Sequence, residues 1–552
     1  MKHLKLVLFV LVIAVMVLSA CTGGGAAATS APVATDTATG EKKVATFIFT
    51  QEFDTLNPLY TNMWFATITF QMWNCYAWNY DDQNTPVPVL VTEMPSTANG
   101  GISEDGKTVT MKLRDDIVWS DGTPITADDF VFTYEMYMDP NNTVASQSPY
   151  DQMESVVAAD PQTVVITFKE VFAPWAATLW KGIIPKHILQ PIFEKDGNIN
   201  SAVYNRAPTV GCGPFNFAEW EAGSFARFTA NDNYWLGRPK LDEIFVRFVP
   251  DDASQIAALQ SGEGDLGAFI AYSDIPALEN AGLQMFTAFS GYNEGLYINL
   301  GEKGHPALKD VGVRQAIAYA LDRESLVKDL LLGRTGVAST YWDNTPFVDP
   351  TIEPYPYDPA KANELLDAAG WKDSNGDGTR DKDGVELILK YGTNTREIRK
   401  EIQAVFQQQL LEVGIGVELS NAENFFDGYA EGGPAATGAL DVFEYSTVAQ
   451  YPDPHTSEWY CDQIPTNDAP DGLNWQAVCD SDLEALFVQE SSQVDASARE
   501  DTFHKISRMI FDKAYWIGIY WDPDIWAINS RVTNVKLSGA TPFYNIAEWD
   551  LK

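Results

Sequence analysis

An acidic stretch near the middle of the chain has the composition of a calcium-binding loop. It reads DSNGDGTRDKDG over residues 373–384, with Gly378 where a tight loop turns. Carboxylate and amide oxygens in a D-x-N-x-D-G order are typical calcium ligands, but the usual glutamate of the twelfth position is replaced by Gly384. The sequence predicts either a structural Ca²⁺ site or a solvated acidic hairpin, and no other cofactor. The predicted oxygen ligands are Asp373, Asn375, Asp377, Asp381 and Asp383.

Few other residues have the spacing of a catalytic or metal site. The chain holds no Gly-x-Ser-x-Gly elbow, no His-Glu-x-x-His pair and no Gly-rich phosphate loop, which mark common classes of enzyme. Two carboxylates about 5–10 Å apart would be enough for a glycoside hydrolase, so a secreted hydrolase remains a remote alternative to a protein without catalytic activity. Nickel is disfavoured because the histidines beyond the N-terminal segment have no paired spacing; they are His187, His305, His455 and His504.

The N-terminal segment has the three parts of an export signal. Lys2 and Lys5 precede an almost unbroken apolar stretch over residues 6–17, and small residues follow it. This order indicates a cleaved signal over residues 1–20, and the apolar stretch is shorter than the roughly 20 residues of a membrane span. Leu-Ser-Ala-Cys resembles the bacterial lipobox, which implies that Cys21 carries lipid. An ordinary cleaved signal and a retained membrane anchor are the alternatives.

The residues that follow favour a flexible tether. Residues 21–43 are rich in Ala, Thr and Gly and contain no aromatic side chain. Such a segment cannot bury enough apolar surface to fold by itself. We therefore expect an extracytoplasmic protein in the periplasm or on the outer face of the cell membrane, held there through its lipid anchor.

Length and charge limit the domain count and the partners. The chain has 552 residues, more than one core usually holds, so we expect two or three domains. Its formal charge is −39, from 76 acidic and 37 basic residues. Such a charge argues against nucleic acid and against anionic lipid as partners, because both are bound through basic residues. We expect a monomer.

Four cysteines remain if Cys21 carries lipid, and an exported chain can oxidise them. Four cysteines allow three pairings. Cys461 and Cys479 lie 18 residues apart in a segment rich in Pro, Asn and Gly, which favours a local bridge and leaves Cys75 to pair with Cys212. The alternative is a set of free, buried thiols.

Strand and helix patterns alternate along the body. The apolar run over residues 44–49 and the alternating run over residues 108–113 predict strands. Thr126 and Asp358 have the residue type and position of helix N-caps. Apolar residues with 3.6-residue spacing predict further helices near residues 313–321, 398–410 and 503–510. The alternation indicates an α/β protein with more than one lobe.

Six segments, in this order and spacing, resemble the family 5 solute-binding proteins of bacterial ABC importers, which include oligopeptide, dipeptide and nickel binders. The resemblance covers about residues 45–552. Cys212 stands where this family usually carries Thr. The matching segments are KTVTMKLRDDIVWSDGTPITADDFVFTYE (107–135), GCGPF (211–215), NYWLGRPKLDEIFVRFVPDDASQIAALQSGEGDL (233–266), VRQAIAYALDRESLV (313–327), YDPAKANELLDAAGW (357–371) and YPDP (451–454).

The resemblance implies an α/β, two-lobed periplasmic-binding-protein-like fold of type II, with an extra domain inserted in the first lobe. Two chain crossings would join the lobes, near Gly291–Gly301 and near Trp521–Ala527. The implied boundaries are residues 44–85, 204–295 and 525–552 for the first lobe, 86–203 for the inserted domain and 296–524 for the second lobe.

The resemblance also implies a ligand class. In peptide-binding relatives, an Asp four residues before a Pro holds the amino group of the peptide. Here Gln450 stands four residues before Pro454, and a neutral amide lacks the charge of that contact. Asp453 would hold the amino group if the match to the relatives is shifted by three residues. The alternative is that Asp453 forms a turn. An oligopeptide is therefore the first expectation and an oligosaccharide the alternative.

Lobe closure would clamp this small oligomeric solute and deliver it to the subunits of an ABC permease. First-lobe contacts would come from Tyr76, Trp78 and the turn at residues 211–215. Each tryptophan is alternatively a core residue. Second-lobe contacts would come from Phe425, Phe426, Ser446, Thr447, Gln450, Tyr451, Asp453 and Trp459, with Tyr520 and Trp521 near a crossing.

Overall fold

The structure is a computed structural model and describes residues 42–448 and 451–552. Residues 43–552 form one compact unit. The predicted signal, the predicted lipid site at Cys21, nearly all of the predicted tether and Gln450 lie outside the described residues. Within the two described ranges, no helix combines the length and the apolar character that a membrane span requires.

Strands in the described ranges build two large sheets, one smaller sheet and three two-stranded sheets. In chain order the strands are β1 (Val44–Phe49), β2 (Trp78–Tyr80), β3 (Pro86–Pro88), β4 (Thr108–Lys112), β5 (Met153–Asp160), β6 (Thr163–Phe168), β7 (Phe215–Glu221), β8 (Phe225–Ala230), β9 (Glu243–Phe248), β10 (Leu266–Gly267), β11 (Leu283–Ala288), β12 (Asn293–Ile298), β13 (Asp381–Lys382), β14 (Val385–Glu386), β15 (Ile388–Thr393), β16 (Gly416–Asn421), β17 (Val442–Ser446), β18 (Trp516–Trp521), β19 (Asp524–Asn529), β20 (Val532–Thr533) and β21 (Asp550–Leu551).

Helices cover the sheets and fill the connections between strands. In chain order the α-helices are α1 (Trp64–Trp73), α2 (Ala127–Met138), α3 (Trp175–Thr178), α4 (Lys186–Asp196), α5 (Asp252–Gln260), α6 (Ile275–Asn280), α7 (Val311–Tyr319), α8 (Arg323–Asp329), α9 (Pro359–Ala368), α10 (Glu397–Glu412), α11 (Ser481–Ser491) and α12 (Ala496–Asp512).

A seven-stranded sheet forms the centre of the first lobe. Its order is β11-β19-β10-β1-β9-β8-β7. The central β1 runs parallel to β9 and β10, and the remaining neighbours are antiparallel. The predicted strand VATFIF is β1, in which Phe47, Ile48 and Phe49 are fully buried. Such an almost continuous apolar strand is typical of a sheet that is covered on both faces.

A five-stranded sheet forms the centre of the second lobe, in the order β16-β15-β17-β12-β18. β15 runs parallel to β16 and β17, whereas β12 is antiparallel to both β17 and β18. Every residue of β12 is buried. The predicted helices near residues 313–321 and 398–410 correspond to α7 and α10 of this lobe.

Two short connections join the sheets. Residues 289–292 lead from β11 to β12, and residues 522–523 lead from β18 to β19. The two connections lie side by side, because the amide of Asp522 donates to the carbonyl oxygen of Tyr292 at 2.9 Å. The rings of Phe289 and Trp521 also contact each other, with centroids 5.8 Å apart.

A three-stranded antiparallel sheet, β4-β6-β5, lies in the segment predicted as the inserted domain. Helix α2 packs against it and begins as the sequence predicts, with Thr126 as N-cap. The side chain of Asp129 accepts from the amide of Thr126, and the two residues complete a capping box. Asp358 is the N-cap of α9, and its carboxylate accepts from the amide of Lys361.

Two disulfides join the predicted pairs of cysteines. Cys75 and Cys212 have Cα atoms 5.4 Å apart, and those of Cys461 and Cys479 are 4.8 Å apart, within the range of native bridges. The first bridge fastens the chain after α1 to the predicted turn at residues 211–215. A side chain at Gly211 would lie 2.0 Å from the carbonyl oxygen of Trp73, so only glycine fits there.

Candidate ligand-binding cavity

A cavity of about 1090 Å³ lies beside the two connections. Its walls come from both lobes. The first lobe supplies residues 269–273 and 524–525, and the connections supply Tyr292, Asp522 and Pro523. The second lobe supplies residues 396–399 and Glu401 at the start of α10 and residues 445–448 at the end of β17. A large concave site of this kind, between two lobes, is where a solute of several units is expected to bind.

Apolar side chains with large exposed areas line this cavity. Phe269 is 47 % exposed and Phe426 is 49 % exposed, and they lie in different lobes. Phe269 also has a φ of 56°, a backbone conformation that costs energy for a residue with a side chain. Its ring packs on Trp64, with centroids 4.5 Å apart. Exposed apolar surface inside a cavity indicates a binding surface rather than a stability feature.

Two arginines at the start of α10 contribute charge that is already paired. Arg399 donates from Nε and Nη2 to the two carboxylate oxygens of Glu294, at 2.8 and 2.9 Å, and both side chains are almost fully buried. Burial opposes the charge of Arg399, but Glu294 outweighs it and raises the pKa of the guanidinium. Arg396 lies 3.4 Å from the carboxylate of Asp522, across the second connection. Both arginines therefore brace the cavity wall.

Glu458 is a buried carboxylate on the second-lobe wall. It is 5 % exposed and accepts a hydrogen bond from the hydroxyl of Tyr341. Burial, together with the charge of Glu458, raises the pKa of Tyr341 well above its usual value, so the phenol remains a donor. The Tyr297 and Tyr341 hydroxyls are 3.1 Å apart, and Nδ1 of His455 lies 3.8 Å from Glu458. This network fixes the position of the carboxylate.

Of the predicted ligand residues that the structure describes, three line the cavity: Phe426, Ser446 and Thr447. Within the described residues, the buried hydroxyl oxygen of Ser446 has no hydrogen-bond partner. The Thr447 hydroxyl donates to the carbonyl oxygen of Gly291 and accepts from the amide of Asn293. Thr447 therefore ties the end of β17 to the first connection.

Four predicted contacts face away from the cavity, into the second lobe or its edge. Phe425 and Tyr520 are fully buried, and Trp459 is 1 % exposed. Trp521 donates from Nε1 to Asp343 at 2.9 Å and covers Gly336. Their aromatic area stabilises the second lobe, because it is removed from water in the folded chain.

Tyr76, Trp78 and Tyr451 lie together at a separate contact between the lobes. The ring of Tyr451 packs on Tyr80 at 5.2 Å, and its hydroxyl donates to the carbonyl oxygen of Asn84. Tyr76 and Trp78 line a small cavity of about 10 Å³ that is too small for a solute. Tyr451 therefore contacts the first lobe directly. Tyr76 and Trp78 instead donate to the carbonyl oxygens of Thr67 and Ala176, on their own side of the cavity. In the predicted turn at residues 211–215, Cys212 is fully buried.

Asp453 is held in an ion pair. Its carboxylate accepts from Nη1 and Nη2 of Arg499 at 2.5 and 2.9 Å, and Nε of the same arginine donates to Glu490 at 2.9 Å. Burial raises the pKa of Asp453, and Arg499 partly offsets this effect. The carboxylate braces helix α12 and does not line the cavity.

The predicted calcium loop forms a self-bonded turn followed by the β13-β14 hairpin. The Asp373 carboxylate accepts from the amides of Gly376 and Gly378 at 2.7 and 3.0 Å, and Asp381 accepts from Ser374. Over residues 42–448 and 451–552, no three His, Cys, Asp or Glu side chains are gathered as metal ligands. Calcium binding at this loop stays a prediction.

If Ca²⁺ binds here, EDTA should lower the melting temperature and added Ca²⁺ should restore it, because a ligand of the folded state alone stabilises that state. Asp377→Ala removes the ligand oxygen and should abolish the response. Asp468→Ala, at an exposed acid outside the loop, is the matched control and should keep it. If EDTA does not change the melting temperature, calcium binding is contradicted and the loop is a solvated acidic hairpin. Differential scanning calorimetry makes the measurement.

Several cavity residues carry no signal in the sequence. Trp64, Phe269 and Tyr272 lie in segments without a motif, and Arg396 precedes a helix recognised only by its apolar spacing. The nearest signal is the predicted second crossing near Trp521–Ala527, which contains Asp524; the observed connection is residues 522–523. Only the fold brings these separate segments to one wall.

Comparisons with known proteins agree with the geometry. Residues 85–463 match the family model described as bacterial extracellular solute-binding proteins, family 5 Middle. The oligopeptide-binding protein AppA of Bacillus subtilis is 28 % identical over 481 residues, which is 85 % of this chain and 84 % of AppA. The nickel-binding periplasmic protein of Escherichia coli is 26 % identical, over 81 % of this chain and 83 % of that protein.

Solved structures show the same fold. The ABC transporter substrate-binding protein CtaP from Listeria monocytogenes superposes with a TM-score of 0.75 at 26 % identity, covering 93 % of this chain and 100 % of CtaP. The structure of AppA from Bacillus subtilis in complex with a nonapeptide gives a TM-score of 0.65 at 25 % identity, covering 93 % and 99 % of the two chains. With its two lobes, two connections and intervening cavity, this chain belongs to the family 5 bacterial extracellular solute-binding proteins.

Proposed function

We propose that this protein is the extracytoplasmic receptor of an ABC importer, which captures oligopeptides and delivers them to a membrane permease. The observation that carries the proposal is the cavity of about 1090 Å³ between two lobes that are joined by two short connections. The names of the oligopeptide-binding relative and of its nonapeptide complex support the peptide class. The protein binds its solute and leaves it chemically unchanged.

The proposed mechanism is closure of the lobes around the solute. A ligand that touches Phe269 in the first lobe and Phe426 in the second gains contacts in the closed state that the open state cannot offer. Ligand binding therefore shifts the equilibrium toward closure by the difference in affinity between the two states. The paired arginines keep the wall rigid during this motion.

An oligosaccharide is the second candidate, and one observation favours it. Ser446 lines the cavity, and its buried hydroxyl has no hydrogen-bond partner among the described residues. The aromatic rings of Tyr445 and Trp475 line the same cavity. Sugars bond to hydroxyl groups and stack on aromatic rings. If only oligosaccharides raise the melting temperature, this candidate replaces the peptide.

Peptide binding should raise the melting temperature of the protein. At 100 times its Kd, a ligand of the folded state stabilises by about 2.7 kcal/mol. Phe426→Ala should weaken binding by about fivefold or more, because an aromatic anchor contributes more than about 1 kcal/mol to such a contact. Leu236→Ala removes a side chain that is 61 % exposed outside the cavity, and it should bind as the wild type does.

Thermal-shift screening with peptide and oligosaccharide libraries, followed by calorimetric titration, makes this measurement. A screen in which neither class shifts the melting temperature would overturn the receptor proposal. Release of a product from a glycoside would favour the hydrolase alternative instead.

Lipid anchoring through Cys21 is the second part of the proposal. The support is the order of charge, apolar stretch, Leu-Ser-Ala-Cys and tether in the sequence. Cys21→Ser should move the protein from the membrane to the soluble fraction, since lipid attachment needs the thiol. Thr22→Ser leaves the thiol in place and is the matched control. A Cys21→Ser protein that stays on membranes after a carbonate wash would contradict the proposal.

A further inference from the structure

Carboxylates outnumber cationic side chains around the cavity. The two lining arginines are Arg396 and Arg399, and both are paired with carboxylates as described above. The lining carboxylates are Asp252, Glu397, Glu401, Glu458, Asp522 and Asp524. Once the arginines are neutralised by their partners, the cavity keeps an excess of negative charge that attracts cations.

Asp524 differs from the other lining acids. It is the first residue of β19, directly after the second connection, and its side chain is partly exposed to the cavity. Within the described residues, no hydrogen-bond donor or cation contacts its carboxylate. Burial, and after it the charge of Asp522, raise the pKa of Asp524 to about 7. The folded chain thus encloses a carboxylate that lacks a counter-charge.

The surroundings of Asp524 are those of a cation subsite. The amide of Ile270 donates to the carbonyl oxygen of Ile525 at 3.0 Å, which brings the segment at Ile270 beside the start of β19. Tyr272 lines the cavity and is 9 % exposed, and its hydroxyl has no partner in the part of the chain that the structure describes. The rings of Trp64 and Phe269 form the adjoining wall. Aromatic faces attract cations, and a phenol oxygen accepts hydrogen bonds from them.

We propose that Asp524, with the Tyr272 hydroxyl and the Trp64–Phe269 wall, forms a subsite for a cationic group of the bound solute, an ammonium or a guanidinium. The inference rests on the proposed receptor function and adds the charge class of the solute to it. An anionic group would face two carboxylates, Asp522 and Asp524. A neutral group would supply no counter-charge, and burial would then favour the protonated form of Asp524.

The test compares peptides that differ only in one charge. Each lysine peptide is paired with the same peptide in which the lysine side chain is acetylated at Nε and therefore neutral. Binding is measured by isothermal titration calorimetry. Spermidine and agmatine serve as cations that are not peptides. The variants are Asp524→Asn, which keeps the shape and removes the charge, and Asp501→Asn on the exposed face of α12 as the matched control.

Wild-type protein and Asp501→Asn should bind the lysine peptide at least about tenfold more tightly than its acetylated partner, because a charge-assisted hydrogen bond is lost on acetylation. Asp524→Asn should reduce this ratio to about one. If Asp524→Asn does not fold, the wild-type ratio alone decides the charge preference.

The outcomes separate this inference from the receptor proposal. Peptides that bind without regard to charge, or an unchanged ratio in Asp524→Asn, would overturn the cation subsite and leave the receptor proposal intact. Binding of spermidine or agmatine alone, lost in Asp524→Asn, would support the subsite and overturn the peptide class. No binding of any of these compounds would overturn both.

Discussion

Replacing Arg499 with methionine should lower the free energy of unfolding by about 3–5 kcal/mol, the cost of leaving buried charge without its partner. The guanidinium is 8 % exposed and holds two carboxylates, Asp453 and Glu490, whose side chains are 10 % and 3 % exposed. Methionine fills much of the same volume, so the loss reflects charge rather than a cavity. Urea denaturation followed by circular dichroism measures it.

The matched control is Arg508→Met in the same helix. Arg508 is 39 % exposed and pairs with Asp349 at 3.4 Å, and exposed ion pairs contribute about 0–1 kcal/mol. Equal losses in the two variants would contradict the argument from buried charge.

The Arg499→Met loss should depend on pH. Burial already raises the pKa of Asp453 and Glu490 in the folded protein, and Arg499 counteracts it. Without Arg499 both pKa values rise further above those of the unfolded chain. The folded variant then binds protons more readily than the unfolded one, so its stability recovers as the pH falls from 8 to 5. A loss that stays constant over this range would argue against carboxylate repulsion.

Removal of the Cys75–Cys212 disulfide should cost about 5 kcal/mol, because this bridge closes the longer loop in the chain-entropy model. The cysteines are 137 residues apart, and both are buried. The double variant Cys75→Ala and Cys212→Ala tests this under non-reducing conditions by chemical denaturation.

The second bridge provides the internal comparison. Cys461 and Cys479 are 18 residues apart, so the corresponding double variant should lose about 3 kcal/mol. The two alanine pairs remove the same atoms, and the difference between them therefore reports the loop length. A larger loss for the short loop would show that local packing, not chain entropy, dominates.

Local chemistry made much of the fold predictable. Thr126 and Asp358 mark helix starts because their side chains satisfy amides that the helix leaves free. The strand at residues 44–49 was evident from its apolar residues, and the order of six segments indicated the family. The pairing of the cysteines followed from one short spacing, which left a single partner for each of the others.

The cavity wall was far less predictable, because distant segments meet there. Trp459 and Phe426 look alike in the sequence as aromatic residues of the second lobe, yet the structure buries Trp459 and exposes Phe426. The difference lies in packing partners that no local pattern encodes. Asp453 likewise finds its counter-ion 46 residues away, at Arg499 in α12.

The two connections between the sheets determine how the lobes can move. One has four residues and the other has two, of which Pro523 has its φ fixed by its ring. The hydrogen bond from Asp522 to Tyr292 holds the two side by side. Two residues span at most about 7 Å, which excludes large sliding of one lobe past the other and favours rotation about the connections. Under the proposed closure, longer and shorter solutes correspond to different stopping angles of this hinge.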